Sequence, residues 1–519
     1  MNWSVARSIG ENRRSPATRT VAVLVAAVFG AALGCGGQPI AVPFVPKAPP
    51  PLERASRIVE EFFAAFNAEG DAALTAFEGA RWSSRMPHPE DGVRVKHWVA
   101  RRPVLGRLEL RELTMEPDRV RTVACSASDG WVQVSFFFEA YEPHGVTGIA
   151  FRPAPSPARG ECAGDAAPKD DAALAAAIDA YAQRYTSVAD FAGVVLAQWG
   201  GVRRVLAAYG EADRDAHHPN TVDTRFNVGS VSKMFTATAI GQLTEAGKLR
   251  LEDRVRRWLP SFGPPQLDAA TVLDLLAHRS GLGDFYGPKF LEMRQRLRTP
   301  QDYLDAFDGP LAFPPGSRFL YSNLGFVALG RIVERASGED YDAYLDHHVF
   351  GPAAMTSTTN ARYDVALPGR AVGYTHGPPG RPTKALTRND AFNFPAGMPA
   401  GCTSATAEDL RRFMDALQHG ELLAPAMVAS MTAGREAIEV AEGVEDGAYA
   451  LGFMDEQVAG MRGFGHGGGL PGANAYVEAF PARDAIIVVL ANVDPPEATW
   501  LGARAAAWLA RLPGATVGQ

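Results

Sequence analysis

The segment FNVGSVSKMFTATAIGQL, residues 226–243, has the composition of a buried helix but carries one charge, Lys233. Small and apolar residues dominate it, and it has no proline. A charge in such a setting needs a partner or a chemical role, because its removal from water is costly. Ser230 lies three residues earlier, and positions i and i+3 share a helix face. The spacing therefore predicts a hydroxyl and an amine side by side.

Such a pair could form an activated nucleophile. A serine hydroxyl alone is a poor nucleophile, whereas a desolvated lysine with a depressed pKa can accept its proton. A helix beginning at Ser230 would also present its backbone N–H to a developing oxyanion. The tetrapeptide by itself is weak support, because Ser-x-x-Lys is expected by chance in a chain of 519 residues. A helix start with a lysine that reaches solvent is the structural alternative.

Two further motifs follow along the chain. The segment FPPGSRFLYSNLGFVALGRIVE holds Tyr321-Ser322-Asn323 between a Pro-Pro-Gly turn and an amphipathic helix. The segment GFGHGGGLPGANAYVEAF holds His466-Gly467-Gly468 and continues into a predicted hairpin. The triplets Ser-x-x-Lys, Tyr-x-Asn and His-x-Gly each occur once in the chain, in that order.

With these motifs the sequence resembles the serine β-lactamase and penicillin-recognising family, specifically its class C-like branch. The likeness includes GKLRLEDRVRRWLP and VLDLLAHRSGLGDF and covers most of residues 185–510. The resemblance implies a β-lactamase/transpeptidase-like fold of mixed α+β and α/β class. This fold would comprise an antiparallel sheet flanked by helices and an all-helical lobe, with Ser230 between them.

The resemblance also implies a role for each motif residue. Ser230 would attack an acyl carbon and form an acyl-enzyme, while Lys233 and Tyr321 share the general-base work. The backbone N–H groups of Ser230 and Gly469 would form the oxyanion hole.

Four further residues are expected to bind the substrate: Asn323, His466, Gly467 and Gly468. Asn323 would orient Lys233 and donate to a substrate amide, and His466 would contact the leaving group or a substrate carboxylate. The two glycines would let the substrate backbone lie close against their strand.

The third motif bears on the substrate class. Class C β-lactamases usually carry Lys-Thr-Gly there, and histidine looks more like the DD-peptidases and esterases of the family. The expectation is a serine hydrolase without metal or cofactor, of DD-peptidase, D-amidase or esterase type, acting on small-molecule or peptidoglycan-like substrates. Two alternatives stay open: a true class C-like β-lactamase, and a non-catalytic penicillin-recognising binding module. Cys402 alters the family's Gly-Gly-x-x-Ser-Thr segment and is interpreted as a small buried filler.

The first 35 residues predict an export signal. Arginines precede the apolar run TVAVLVAAVFGAALG, which is short for a membrane span. The ending AALGC resembles a bacterial lipoprotein cleavage box in which Cys35 becomes lipidated, and a plain signal with a chance cysteine is the alternative. The proline-rich residues 36–53 suit an extended tether. The expected location is the bacterial cell envelope or periplasm, with a lipid anchor in the membrane.

Two domains are predicted after the tether. Residues 54–153 read as a helix followed by alternating strands, which indicates a small α+β unit. Its layout resembles the nuclear transport factor 2-like, or cystatin-like, domains. Residues 154–172 form a linker without periodicity, and residues 173–515 form the hydrolase domain.

Cysteine, charge and histidine patterns complete the sequence-based expectations. Cys125 and Cys162 lie in one region of an exported protein, so a disulfide and two buried thiols are both open. A net charge of −7 gives no support for nucleic-acid binding. No spacing indicates a zinc site. The adjacent pairs His217-His218 and His347-His348 are interpreted as surface residues whose side chains diverge.

Overall fold

The computed structural model describes residues 50–84, 93–116, 119–139, 144–154, 162, 167–377, 385–389, 397–438, 446–458 and 460–513. The predicted export signal, the lipidation site Cys35 and most of the tether lie outside these residues, as does most of the predicted linker. No helix in the described ranges is long and apolar enough to cross a membrane.

The N-terminal unit consists of three helices followed by a four-stranded antiparallel sheet in the order β1-β2-β3-β4. Its elements are α1 (Leu52–Asn67), α2 (Ala72–Arg81), α3 (Val93–Leu105), β1 (Leu108–Met115), β2 (Arg119–Ser126), β3 (Gly130–Phe138) and β4 (Val146–Pro153). The order of helix before sheet agrees with the expected α+β layout. The resemblance to nuclear transport factor 2-like domains and the domain boundaries stay predictions. The sulfurs of Cys125 and Cys162 are bonded to each other, which ties β2 to the chain beyond β4.

The rest of the described chain forms a larger unit of helices and a second sheet. Its helices are α4 (Asp171–Val188), α5 (Ser232–Glu245), α6 (Val255–Trp258), α7 (Val272–Leu276), α8 (Pro288–Met293), α9 (Pro300–Ala306), α10 (Asn323–Ser337), α11 (Tyr341–Leu345), α12 (Ala407–Gln418), α13 (Pro425–Thr432) and α14 (Glu497–Ala510). Its strands are β5 (Gly193–Trp199), β6 (Val202–Tyr209), β7 (Glu211–Asp213), β8 (His218–Pro219), β9 (Phe226–Asn227), β10 (Tyr374–Thr375), β11 (Thr387–Arg388), β12 (Ser404–Ala405), β13 (Glu436–Ile438), β14 (Asp446–Tyr449), β15 (Met454–Val458), β16 (Met461–Leu470), β17 (Ala473–Phe480) and β18 (Ala485–Ala491).

An eight-stranded antiparallel sheet organises this unit, with the order β13-β14-β15-β16-β17-β18-β5-β6. The first strand of the unit, β5, therefore pairs with β18, the last strand of the sheet in the sequence, and β6 lies beside β5 at one end of the strand order. The helices α5 to α11 come between β6 and the later strands in the sequence, and they form the helical lobe. The short pair β9 and β12 joins the chain just before α5 to the chain just before α12.

Both faces of the large sheet are buried, and each contributes to a different core. Successive side chains of a strand point to opposite faces. On β17, Ala475 and Val477 join the core shared with the helical lobe. Tyr476 and Phe480 join the core that contains α4, α14 and the N-terminal unit. The sheet is thus a central layer between the helical lobe and the N-terminal unit.

A buried ionic cluster links the N-terminal unit to α4 and α14. Asp129, in the turn between β2 and β3, accepts hydrogen bonds from Trp500 Nε1 at 3.1 Å and from Arg184 Nη2 at 2.9 Å. Arg504 Nη2 lies 3.3 Å from the same carboxylate, and both side chains of this pair are almost fully buried. The Tyr181 hydroxyl donates to Asp129 as well. One carboxylate of the first unit therefore satisfies several donors of the second.

Replacing this carboxylate should destabilise the folded protein strongly. In Asp129→Asn the amide has no negative charge to offset the buried Arg504 guanidinium, and breaking a buried pair typically costs about 3–5 kcal/mol. We expect the free energy of unfolding, measured by urea titration with tryptophan fluorescence, to fall by that amount. The control Glu109→Gln breaks an exposed pair with Arg111 and should change it by less than about 1 kcal/mol. Equal losses in the free energy of unfolding for Asp129→Asn and Glu109→Gln would contradict the stabilising role assigned to Asp129.

Candidate active site

Ser230 is the middle residue of a short 3₁₀ turn, Gly229–Val231, that leads directly into α5. The side chain is half-buried, so the hydroxyl remains accessible. Lys233, in the first turn of α5, is completely buried. The α-helix thus begins two residues later than the expected start at Ser230, and the hydroxyl and the amine lie side by side as expected. The structural alternative required a lysine that reaches solvent, and Lys233 does not reach it.

The amine of Lys233 has three oxygen neighbours from three parts of the chain. Nζ lies 3.1 Å from Ser230 Oγ. It donates to Asn323 Oδ1 at 2.7 Å, at the start of α10. It also donates to the backbone carbonyl of Ala400 at 2.6 Å. These contacts fix the amine beside the serine hydroxyl.

Burial lowers the pKa of Lys233 to about 7, against a smaller opposing effect of the Asp284 charge. A neutral amine has two N–H groups and one lone pair. The two N–H groups match the Asn323 and Ala400 oxygens, neither of which has a proton to donate. The lone pair then faces Ser230 Oγ. This arrangement suits Lys233 as the acceptor of the serine proton.

Tyr321 lies next to the same pair, in the extended segment before α10. The Lys233 amine is 4.7 Å from the centroid of its ring. Burial raises the pKa of Tyr321 well above its ordinary value, although a hydrogen bond with Ser230 opposes the rise. At neutral pH the phenol is therefore protonated. In this state Tyr321 can donate a proton, whereas the sequence analysis expected it to share the general-base work with Lys233.

Asp284 is a site residue that the sequence analysis missed. Its Oδ2 accepts a hydrogen bond from Asn323 Nδ2 at 2.7 Å. Its Oδ1 accepts backbone hydrogen bonds from Phe285 at 2.7 Å and Tyr286 at 3.2 Å. A carboxylate can only accept hydrogen bonds, so it fixes the Asn323 amide with its oxygen toward Lys233. Asp284 lies 39 residues before Asn323, and no spacing rule connects such positions.

A buried aromatic group supports Tyr321 from behind. The ring centroid of His278 is 4.2 Å from that of Tyr321 and 4.5 Å from that of Tyr449. His278 Nδ1 accepts a hydrogen bond from the backbone N–H of Ser322 at 3.0 Å, which identifies Nδ1 as unprotonated. Burial lowers the pKa of His278 well below its usual value, so the ring is neutral. The sequence analysis assigned no role to either His278 or Tyr449.

The glycines of the third motif allow β16 to approach the nucleophile turn closely. A Cβ on Gly468 would lie 2.0 Å from the carbonyl oxygen of Val228, so no side chain fits there. Gly229 has a left-handed φ of +53°, and a Cβ on it would lie 2.9 Å from Gly469 N. The backbone N–H of Gly469 is therefore adjacent to the peptide that precedes Ser230. This proximity suits the expected oxyanion hole, whose use stays a prediction.

His466 lies on β16 with its side chain buried. Its Nδ1 is 2.5 Å from the carbonyl oxygen of Gly467, and its Nε2 is 3.1 Å from the Tyr449 hydroxyl. Burial, assisted by the charge of Lys233, lowers the pKa of His466 to about 3. The imidazole is thus neutral, with Nδ1 donating and Nε2 accepting. A contact between His466 and substrate stays a prediction. In this arrangement the contact would be a hydrogen bond to a neutral imidazole and not an ion pair.

Cys402 packs close to this site but has the properties of an inert thiol. It is buried against Leu470 and Ala473. Burial raises its pKa to about 12, so the thiolate is not populated at neutral pH. Its backbone N–H donates to the carbonyl of Gly229 at 3.0 Å. The residue therefore supports the nucleophile turn through its main chain, in agreement with its interpretation as a filler.

Comparison with known proteins identifies similar chains. The sequence model of the family described as beta-lactamase matches residues 176–512. Penicillin-binding protein 4* of Bacillus subtilis (strain 168) is 38% identical over 172 residues, which are 32% of this chain and 38% of that protein. Esterase EstB of Burkholderia gladioli is 36% identical over 206 residues, which are 36% of this chain and 51% of the esterase. The chain thus spans about half or less of the length of these relatives.

A solved structure extends the likeness to the fold. The D-stereospecific amidohydrolase from Streptomyces sp. superposes with a TM-score of 0.52 and 26% sequence identity. The match covers 65% of this chain and 97% of the amidohydrolase. Together with the family match, this confirms the predicted β-lactamase/transpeptidase-like fold with its antiparallel sheet and helices. The class C-like subtype and the kinship of the N-terminal unit stay predictions.

Removal of the Asp284 charge should slow the reaction of Ser230. In Asp284→Asn the Asn323 amide is free to rotate, and the amine loses its fixed partner. A misplacement of about 1 Å in such a group can cost about 10²-fold in rate. We expect a loss of about 10- to 100-fold in the rate at which a fluorophosphonate probe modifies Ser230.

The pH profile separates this effect from a general loss of structure. The Asp284 charge raises the pKa of Lys233, so its removal should shift the acidic limb of the rate profile to lower pH. The control Asp305→Asn removes an exposed carboxylate of α9 that accepts a hydrogen bond from Gln301, and both rate and profile should stay unchanged. An unshifted profile in Asp284→Asn would contradict the assigned role.

Proposed function

This chain belongs to the beta-lactamase family, and from that premise we propose that it is a serine hydrolase that cleaves ester or amide bonds through an acyl-enzyme on Ser230. One observation carries the proposal. The amine of Lys233 lies 3.1 Å from the Ser230 hydroxyl and is hydrogen-bonded to two other oxygens. Burial lowers its pKa to about 7, and in the neutral form its lone pair is directed to the proton that must be removed.

Acylation follows from this geometry. As Ser230 Oγ bonds to the acyl carbon, its proton moves to Lys233 Nζ. The negative charge that develops on the carbonyl oxygen is stabilised by the backbone N–H groups of Ser230 and Gly469. The protonated Tyr321 hydroxyl supplies a proton to the leaving group, and Lys233 can then replenish the phenol. Water enters by the reverse of this path, and the acyl group is released as an acid.

The environment of His466 favours some substrates over others. A neutral imidazole offers no charge to a substrate carboxylate. Ester and amide substrates whose leaving group carries no carboxylate therefore fit the site best, which is the esterase and D-amidase part of the expected range. The similarity to Esterase EstB and to a D-stereospecific amidohydrolase supports this choice. The intact Ser230, Lys233 and Tyr321 constellation speaks against a binding module without turnover.

The envelope location belongs to the same proposal. It rests on the basic and apolar pattern of the first 35 residues and on the resemblance of the AALGC segment to a lipoprotein box. Cys35 would then carry the lipid that attaches the protein to the membrane. The anchored enzyme would then be close to esters and peptides of the cell envelope, which could serve as substrates.

Substitution of the nucleophile should abolish turnover. We expect Ser230→Ala to lower kcat for p-nitrophenyl acetate by about 10³-fold or more, because the covalent step has no other acceptor. Ser187→Ala, which changes an exposed serine of α4, should leave kcat unchanged. Unaltered hydrolysis by Ser230→Ala would refute the proposed mechanism.

Intact mass after incubation with benzylpenicillin distinguishes the substrate classes. A lasting adduct on the wild type, absent from Ser230→Ala, would indicate a penicillin-binding peptidase. Rapid loss of the drug without an adduct would indicate a β-lactamase. We expect neither a lasting adduct nor rapid loss of the drug. We do expect the same preparation to hydrolyse esters or D-amino-acid amides.

Activity should also depend on pH through Lys233. Its amine must be unprotonated to accept the serine proton, and its pKa is about 7. We therefore expect kcat/KM for a neutral ester to fall about tenfold for each pH unit below this value and to level off above it. Rates measured between pH 5 and about pH 9, corrected for spontaneous ester hydrolysis, test this expectation. A flat profile would exclude Lys233 as the base.

A further inference from the structure

The adjacent histidines His347 and His348 converge on one carboxylate. Both side chains are exposed, as predicted, but the expected divergence of the two side chains is wrong for this pair. His347 Nδ1 lies 3.0 Å from Glu339 Oε2, and His348 Nε2 lies 2.9 Å from Glu339 Oε1. The three side chains are exposed or half-buried, and they lie just beyond the C-terminal end of α10, whereas Asn323 lies at the start of this helix.

Two features of the chain bring neighbouring histidines together. Residues 346–350 form a π-helical turn after α11, closed by a hydrogen bond from Gly351 N to Asp346 O at 2.9 Å. The wider turn reduces the angle between successive side chains. In addition, His347 uses its near ring nitrogen and His348 its far one. Two side chains that leave the backbone in different directions can therefore reach one point.

The carboxylate and one imidazole are held in place by their own neighbours. Glu339 follows Gly338, whose left-handed conformation ends α10. The ring of Tyr344 packs on His348 with centroids 4.4 Å apart. Gln242 of α5 donates to the carbonyl of His348 at 2.8 Å. The cluster is thus attached to α5, α10 and α11, so little rearrangement is needed to present its ligand atoms.

The geometry points to a zinc-binding site formed by Glu339, His347 and His348. Their ligand atoms all lie within 4.8 Å of one another, and they form the group with this property in the part of the chain that the structure describes. Two imidazole nitrogens and one carboxylate oxygen are a ligand set that Zn²⁺ accepts, with a fourth position left for water. Tetrahedral ligands at zinc distances lie about 3.3 Å apart. The observed contacts to Glu339 differ from this spacing by only a few tenths of an ångström.

This ion would be structural, since it lies outside the site around Ser230 and takes no part in the proposed acylation. It would replace the protons that now join the imidazoles to the carboxylate, because a metal ligand must present a lone pair. It would fasten the end of α10 to the π turn. Since α10 begins at Asn323, the ion would stabilise the helix that positions the partner of Lys233.

Zinc titration of the full chain tests the site. The protein is prepared without a polyhistidine tag, freed of metal with a chelator, and titrated with zinc chloride in a calorimeter. We expect one ion per chain and a rise in the thermal unfolding midpoint with zinc concentration, because the ion binds the folded state. Glu339→Gln and the double variant His347→Ala/His348→Ala should each weaken binding at least about tenfold.

The chain supplies a matched control in its other histidine pair. His217 Nδ1 lies 3.0 Å from Glu211 Oε1, so the residue types and the hydrogen bond are the same, but His218 is not part of a three-ligand group there. His217→Ala/His218→Ala should leave the zinc affinity unchanged. Absence of one-to-one binding would overturn the proposal. The proposal would also be overturned if Glu339→Gln bound zinc as tightly as the wild type does. The same holds if His217→Ala/His218→Ala lost as much zinc affinity as His347→Ala/His348→Ala.

Discussion

The burial of one amine governs the organisation of the larger unit. Lys233 has no contact with solvent, so the fold itself must satisfy its hydrogen-bonding groups. Two acceptors come from distant parts of the chain, Asn323 at the start of α10 and the carbonyl of Ala400 before β12. The remaining direction is toward Ser230. The same contacts that satisfy the buried amine in the folded chain therefore also place it beside the Ser230 hydroxyl.

The same constraint extends outward through groups that hold the first contacts. Asp284 fixes the amide of Asn323, and His278 receives the backbone N–H that precedes it. These hydrogen bonds restrict the Asn323 side chain and the backbone at Ser322 before substrate binds, so that less conformational freedom is lost on binding. Preorganisation of this kind is efficient because dipoles that are already aligned need not reorganise during the reaction. The cost is a dense cluster of neutral, buried polar rings around Tyr321, which only tight packing can maintain.

Contact between the sheet and the nucleophile turn depends on glycine, whereas contact between the two units combines a shared apolar core with a buried charge pair. At Gly468 the backbone of β16 approaches Val228 so closely that any side chain would clash. On the opposite side of the sheet, Asp129 of the first unit joins Arg504 and Trp500 of α14. A buried charge pair of this type is costly to disrupt, so it favours one arrangement of the two units. The central sheet is held from both sides by contacts that tolerate little change.

The sequence by itself determined the family, the fold class and the motif residues Ser230, Lys233, Tyr321 and Asn323. Helical spacing places Ser230 and Lys233 side by side, and the resemblance of the three motifs, in their order along the chain, to a known family indicates the family and its fold. The tertiary structure alone decided the protonation of the site, since the pKa of a side chain depends on its burial. It alone brought Asp284 to Asn323 and made His466 neutral. Likewise, a π turn directed two adjacent histidines to Glu339, which no periodicity could reveal. Contacts between residues far apart in sequence are set by packing, and packing is a property of the whole folded chain.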